Sequence, residues 1–83
     1  MKLNRIFVDF NNADEEGRIR LIVAGAIRDI KAQGIILVEG LELMLDDHQE
    51  FRVKGIVEFS KSENIWVGRI DWNALEPSEM AHQ

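Results

Sequence analysis

Residues 51–72, FRVKGIVEFSKSENIWVGRIDW, alternate apolar and polar side chains on both sides of a short polar turn. Alternation with a period of two predicts a β-strand, and two such strands around a polar turn predict a hairpin. If residues 61–64 form the turn, Phe59 pairs with Trp66 on the inner face of the hairpin. A slip of one residue would move every apolar side chain to the other face, so this register is strongly specified.

The same register extends toward the open end of the hairpin and sets the environment of both tryptophans. It places Gly55 opposite Ile70 and Val53 opposite Trp72, on the same face as Trp66. At ~3.3 Å per residue, the two tryptophans lie about 20 Å apart along one strand. They are too far apart to close on one ligand, so the sequence predicts that both fill the core.

Three further segments show the strand pattern. Residues 41–45 alternate before the acidic turn DDHQE at residues 46–50, which predicts a second hairpin with Leu45 opposite Phe51. Residues 4–11 and 18–23 also alternate, and the polar, glycine-terminated loop at residues 11–17 connects them. These two segments predict an N-terminal hairpin, with Phe10 near Ile19 and Val8 near Leu21.

Residues 24–34, AGAIRDIKAQG, change the period. Ala26, Ile27 and Ile30 have helical spacing, and Gly34 can end a helix in the left-handed conformation. A short helix of two to three turns is therefore predicted. A strand that continues from residue 18 to about Ile30 remains an alternative.

The order of these segments predicts a mainly β protein with one short helix. Five short strands with glycine bends suggest a small, strongly bent antiparallel sheet or an SH3-like, partly open barrel. Residues 1–77 are expected to form this single domain, with one helical turn at residues 73–76. Residues 78–83 are expected to be a frayed tail.

Composition excludes several classes of function. The 83-residue chain has no cysteine, which rules out disulfide scaffolds, thiolate metal sites and cysteine nucleophiles. No apolar run approaches ~18 residues, so we expect a cytoplasmic protein that does not enter a membrane. The net charge of -5 opposes contact with a phosphate backbone, so the sequence argues against binding of nucleic acid.

Motifs of catalysis and metal binding are missing. The sequence contains no nucleophile elbow and no glycine loop that could cradle a phosphate, so no catalytic residue and no cofactor are predicted. The DDHQE turn offers Asp46, Asp47, His48 and Glu50 as possible ligands. It lacks both the spacing of a calcium loop and a second converging segment, so a solvated turn without metal is predicted.

Apolar side chains at positions of outer parity carry the main functional hypothesis. In so short a chain, several such residues predict a second covered surface. The expected protein is a non-enzymatic interaction module that binds a protein partner or forms a homodimer through this outer apolar face. The predicted binding residues are Phe7, Ile22, Met44, Ile56 and Val67. The alternative is an RNA- or ribosome-associated barrel that uses Arg18, Arg20, Arg52 and Lys54.

Overall fold

A computed structural model of the chain describes residues 2–78. It is a mainly β protein with one helix, as the sequence predicts. The elements in chain order are β1 (Arg5–Phe7), β2 (Ile19–Arg20), α1 (Ala24–Ala32), β3 (Glu42–Asp46), β4 (Phe51–Ser60), β5 (Ile65–Arg69), a 3-10 turn (Trp72–Ala74) and β6 (Glu76–Pro77).

The strands form one strongly curled sheet, a half-barrel of five strands in the order β1-β3-β4-β5-β2. The short β6 pairs with the first residues of β4. The sheet is mixed, because β1 runs parallel to β3 while the other neighbouring strands are antiparallel. The strongly bent, partly open sheet is therefore confirmed, but its strands are not all antiparallel.

The predicted register of the N-terminal hairpin is wrong: the antiparallel bridge between its two segments joins Ala13 to Ile19, and β1 and β2 are not neighbours in the sheet. In β1, Ile6 lies opposite Leu45 of β3, and in β2, Ile19 lies opposite Gly68 of β5. The two strands thus form opposite edges of the half-barrel, and the acidic loop crosses between them. Alternation of side chains decides which face of a strand is buried, but it does not decide which strand is the neighbour.

The C-terminal hairpin has the predicted register over its first part. Phe59 lies opposite Trp66, but β5 ends at Arg69. Trp72 therefore does not pair with Val53, and it begins the 3-10 turn instead, with 43% of its surface exposed. The predicted core position of Trp72 is wrong, because the chain leaves the sheet before that residue.

The β3–β4 hairpin differs from the prediction by two residues. Leu45 lies opposite Val53 and not opposite Phe51. The last pair before the turn is Asp46 with Arg52, so the turn keeps its predicted length and lies one residue later along the chain. One carboxylate oxygen of Asp47 accepts hydrogen bonds from the backbone N–H groups of residues 49–51, at 2.8–3.0 Å, and so holds the turn. A shift of two residues preserves the faces, so the same side chains point inward.

The helix is confirmed, and the alternative of a longer second strand is wrong. Helix α1 ends before Gly34, whose φ of +64° lies in the left-handed region. A Cβ at Gly25 would lie 2.5 Å from the ring of Phe7. Glycine at this position therefore allows the helix to approach β1 closely.

Side chains of α1 and of its C-cap residue also cover the open edge of β1. The N–H of Phe7 donates to Oδ2 of Asp29 across 2.8 Å, and the Nε2 of Gln33 donates to the carbonyl of Arg5 across 2.7 Å. These bonds replace the strand neighbour that β1 lacks on this side. An edge strand is thus protected from pairing with another chain.

The core lies inside the curl of the sheet and is built from the inner positions of the strands. Trp66, Ile70 and Leu37 pack against it while staying partly exposed. Its buried members are Ile6, Val8, Ile19, Leu21, Leu43, Leu45, Val53 and Val57.

Ser78, which the sequence assigns to a frayed tail, is held in place by the rest of the structure. Ser78 is buried, and its hydroxyl donates to Oδ1 of Asp46 across 2.8 Å. Its N–H also donates to the carbonyl of Glu50 across 2.9 Å. Residues 79–83 of the predicted tail lie outside the described residues.

Candidate functional site: two surface grooves

The five predicted binding residues do not share one environment. Ile22 and Ile56 are 47% and 38% exposed, whereas Phe7 and Met44 are partly buried. Val67 is 0% exposed and is therefore not available at the surface. Val67 pairs across the strands with Glu58 on one side and with Arg20 on the other. These three residues lie between Ile22 and Ile56 on the sheet.

Val67 is buried although it has outer parity, and its two cross-strand neighbours form ion pairs. Val67 lies between Glu58 of β4 and Arg20 of β2 in the register. The Glu58 carboxylate accepts hydrogen bonds from Arg69 at 2.7 Å and from Arg18 at 3.1 Å. Charged heads paired in this way extend their aliphatic stems over an apolar neighbour. The inclusion of Val67 in an exposed patch is therefore corrected.

Hydrogen bonds from arginines stabilise the charged forms of two glutamates in this ion-pair network, Glu58 and Glu63. The hydrogen bond from Arg69, together with that from Arg18, lowers the pKa of Glu58 although burial opposes it. The hydrogen bonds from Arg20, at 2.7 and 2.8 Å, lower the pKa of Glu63. The network therefore remains ionised at neutral pH.

The four cations of the RNA-binding alternative all have carboxylate partners within the chain. Arg18 pairs with Asp14, Glu16 and Glu58, and Arg20 pairs with Glu63. The Nε of Arg52 lies 3.6 Å from Glu76, and the Nζ of Lys54 lies 3.6 Å from Glu42. A phosphate would have to compete with these carboxylates.

The first groove, called the apolar groove, lies between α1, the end of β2 and the β4–β5 turn. Its volume is about 330 Å³. Ile22 and Ile27 at its border are 47% and 45% exposed. Near it, residues 35–38 connect α1 to β3 and leave Ile36 80% exposed. The groove is lined by Leu21, Ile22, Ile27, Ile30, Lys31, Leu37, Asn64, Ile65 and Trp66.

The apolar groove has a fixed wall and a positive charge at its border. The ring of Trp66 contacts Phe59 edge-on, with centroids 5.1 Å apart, which orients the indole. Lys31 lines the groove, and no carboxylate in the described part of the chain forms an ion pair with it. The groove can thus accept apolar side chains next to an acidic group.

The second groove, called the aromatic–acidic groove, lies where the end of β1, the DDHQE turn and the 3-10 turn meet. Its volume is about 640 Å³. Its aromatic lining residues are Phe7, Phe10, Phe51 and Trp72, and its charged lining residues are Asp9, Asp47 and Glu50. The remaining walls are Val8, Asn11, Gln49, Leu75 and residues 23–25 at the start of α1.

Hydrogen bonds hold both kinds of side chain in place around this groove. The indole N–H of Trp72 donates to the carbonyl of Gly17 across 2.9 Å, and Phe10 packs edge-on against the same indole at 6.4 Å. Burial raises the pKa of Asp47, but three backbone N–H donors outweigh it and lower the pKa overall. The groove therefore has an oriented aromatic wall and a permanent negative charge.

Sequence reasoning did not find this groove because its parts come from four separate segments. In the sequence, Asp9 falls within the strand predicted at residues 4–11, Trp72 within the C-terminal hairpin, and Glu50 within the DDHQE turn. Only the clustering of aromatic residues with acids near chain turns could have indicated it. Among residues 2–78, no group of three or more His, Asp or Glu side chains is arranged to hold a metal ion.

Comparison of the chain with protein-family models, with curated proteins and with solved structures found no match. Function is therefore inferred from the side chains of the two grooves. Within the described range, α1 is the longest helix, and no helix has the length and apolar character needed to cross a membrane.

Proposed function

We propose that this protein is a non-enzymatic interaction module that binds a protein partner in the apolar groove. The observation that supports this proposal is the exposure of Ile22 and Ile27 beside a groove lined almost entirely by apolar side chains. Leaving such side chains in water forgoes roughly 1.5–3 kcal/mol each, which a partner recovers by covering them. A cysteine-free chain suits the reducing cytoplasm, which we propose as the compartment.

The charge at the border of the groove indicates the chemistry of the partner. Lys31 has no ion pair within residues 2–78, so an aspartate or glutamate of the partner would complement it. The expected ligand is a segment with apolar anchors and a neighbouring acid. A second copy of the chain fits less well, because the net charge of -5 makes two copies repel each other.

The groove replaces the predicted outer sheet face as the binding surface. Of the predicted residues, only Ile22 borders the groove. Ile56 lies on the outer face and is 38% exposed. This difference provides a matched pair of variants, because Ile27→Asp and Ile56→Asp place the same charge on two separate surfaces.

The experiment is affinity capture from the source cell with the wild type, Ile27→Asp and Ile56→Asp, read by quantitative mass spectrometry. Circular dichroism checks that each variant is folded. We expect a partner that Ile27→Asp loses and Ile56→Asp retains, and Lys31→Glu should weaken its capture. Loss with Ile56→Asp alone would assign binding to the outer face. Equal capture by all variants would remove the proposal. A doubled mass in light scattering that only Ile27→Asp abolishes would identify a homodimer instead.

A further inference from the structure

The aromatic–acidic groove carries charge of a single sign. Three carboxylates line it, from Asp9, Asp47 and Glu50, and no lysine, arginine or histidine of residues 2–78 does. Asp9 and Glu50 form no ion pair within residues 2–78. Helix α1 begins at the wall, but a helix N-terminus carries only about half a positive charge. The groove therefore has a net negative potential.

The aromatic rings of the groove remain accessible. Trp72 and Phe51 are 43% and 39% exposed, although both side chains are large and apolar. The hydrogen bond of Trp72 to Gly17 orients the indole before any ligand arrives. A cation within ~6 Å of such a ring is attracted to its face.

We propose that the aromatic–acidic groove binds a basic polypeptide segment, with an arginine or lysine side chain held between Trp72, Phe51 and the carboxylates. Acidic lining repels a phosphate backbone, which excludes nucleic acid as the ligand. The volume of about 640 Å³ falls within the ~300–1,000 Å³ typical of ligand sites. This site is separate from the apolar groove and does not depend on the function proposed for it.

The first experiment titrates the protein with an N-acetylated, C-amidated peptide of six arginines. Its neutral control is the same peptide with citrulline at every position. Binding is followed by calorimetry and by amide and indole N–H chemical shifts. We expect the arginine peptide to shift the indole signal of Trp72 and the amide signal of Phe51, and the citrulline peptide to leave both unchanged. Absence of binding at millimolar peptide, or equal binding of both peptides, would overturn the proposal.

The second experiment separates this groove from general attraction to an acidic protein. The variant Asp9→Asn/Glu50→Gln removes two charges from the groove, and Glu15→Gln/Glu42→Gln removes two exposed charges elsewhere. The groove variant should bind the arginine peptide about tenfold more weakly, as expected for two partly exposed ion pairs. The control variant should stay within about twofold. Equal weakening in both would mean nonspecific attraction.

The third experiment tests the aromatic contribution and the independence of the two grooves. Phe51→Leu keeps an apolar side chain but removes the aromatic face, so it should weaken binding of the arginine peptide about threefold. An unchanged affinity would remove the rings from the proposal. Ile27→Asp, in the apolar groove, should bind the peptide as the wild type does. A failure of Ile27→Asp to do so would mean that the two grooves are not separate sites.

Discussion

Glu58 on β4 and Val67 on β5 lie directly opposite each other, yet their exposure differs. The ionised Glu58 carboxylate accepts hydrogen bonds from two arginines at the surface, whereas Val67 is fully buried. The pair shows how a thin half-barrel covers part of its outer face. We infer that long charged side chains, held in place by their ion pairs, shield part of this face from water.

Glu58→Gln is expected to destabilise the fold. The amide still accepts one hydrogen bond, but Arg18 and Arg69 then lose the negative charge between them. We expect the melting temperature to fall by about 5 °C, a typical response of a domain of this size to a moderate loss. The control is Glu42→Gln, which breaks the exposed pair with Lys54 and should change the melting temperature by less than about 2 °C. Equal effects would mean that the network does not cover the face.

The same network predicts how stability depends on pH. The folded-state pKa of Glu58 lies below its ordinary value of 4.5, so folding favours the ionised form. This contribution is fully present above the unfolded pKa and is lost as the pH falls through the folded pKa. Melting temperatures should therefore be level near neutrality and fall steadily below about pH 4.5. In Glu58→Gln the acid decline should be shallower, and an identical decline would contradict the assignment.

The sequence correctly predicted those elements that depend on residues close together along the chain. Alternation around residues 61–64 predicted the pairing of Phe59 with Trp66, and Gly34 marked the end of the helix. The sequence did not predict which strands are neighbours, because that depends on residues far apart along the chain. Ile6 has the same inner parity whether β1 pairs with β2 or with β3, so the pattern could not distinguish the hairpin from the parallel pairing that the structure has.

The surface was harder to predict than the core, for a related reason. Parity correctly placed Val67 on the outer face, but its exposure depends on what lies above that face. The arginines that pair with Glu58 are Arg18, just before β2, and Arg69, at the end of β5, and these pairings span up to 40 residues of sequence. Periodicity carries no information on contacts of that range.

The two tryptophans should differ in their contribution to stability. Trp66 packs against the core and against Phe59, so Trp66→Ala should cost about 3 kcal/mol of unfolding free energy. Trp72 is 43% exposed and contributes through its hydrogen bond to Gly17 and its edge-on contact with Phe10, so Trp72→Ala should cost about 1–2 kcal/mol. Urea unfolding of both variants measures the difference. A larger loss for Trp72→Ala would restore the inward placement that the sequence predicted.

Gly25→Ala tests the close contact of α1 with β1. Alanine favours a helix over glycine by about 1 kcal/mol, so an uncrowded site would be stabilised. Here the new methyl group would lie 2.5 Å from the Phe7 ring, and overpacking of this kind costs about 1–3 kcal/mol. We expect a net loss of stability in urea unfolding. Adding Phe7→Leu should recover part of it, and additive effects would show that the two residues are not in contact.

The edge of β1 gives the last prediction, which concerns self-association. Asp29 and Gln33 bond the N–H of Phe7 and the carbonyl of Arg5, the groups that another strand would otherwise use. The double variant Asp29→Ala/Gln33→Ala removes both partners while keeping good helix formers. An uncovered edge pairs readily with other chains, so this variant should form oligomers at concentrations where the wild type does not. Asp29→Asn is the matched control, because its side-chain carbonyl can still accept the Phe7 N–H. Light scattering across a concentration series distinguishes the cases. If the double variant and the wild type have the same mass at every concentration, helix α1 does not protect the sheet edge.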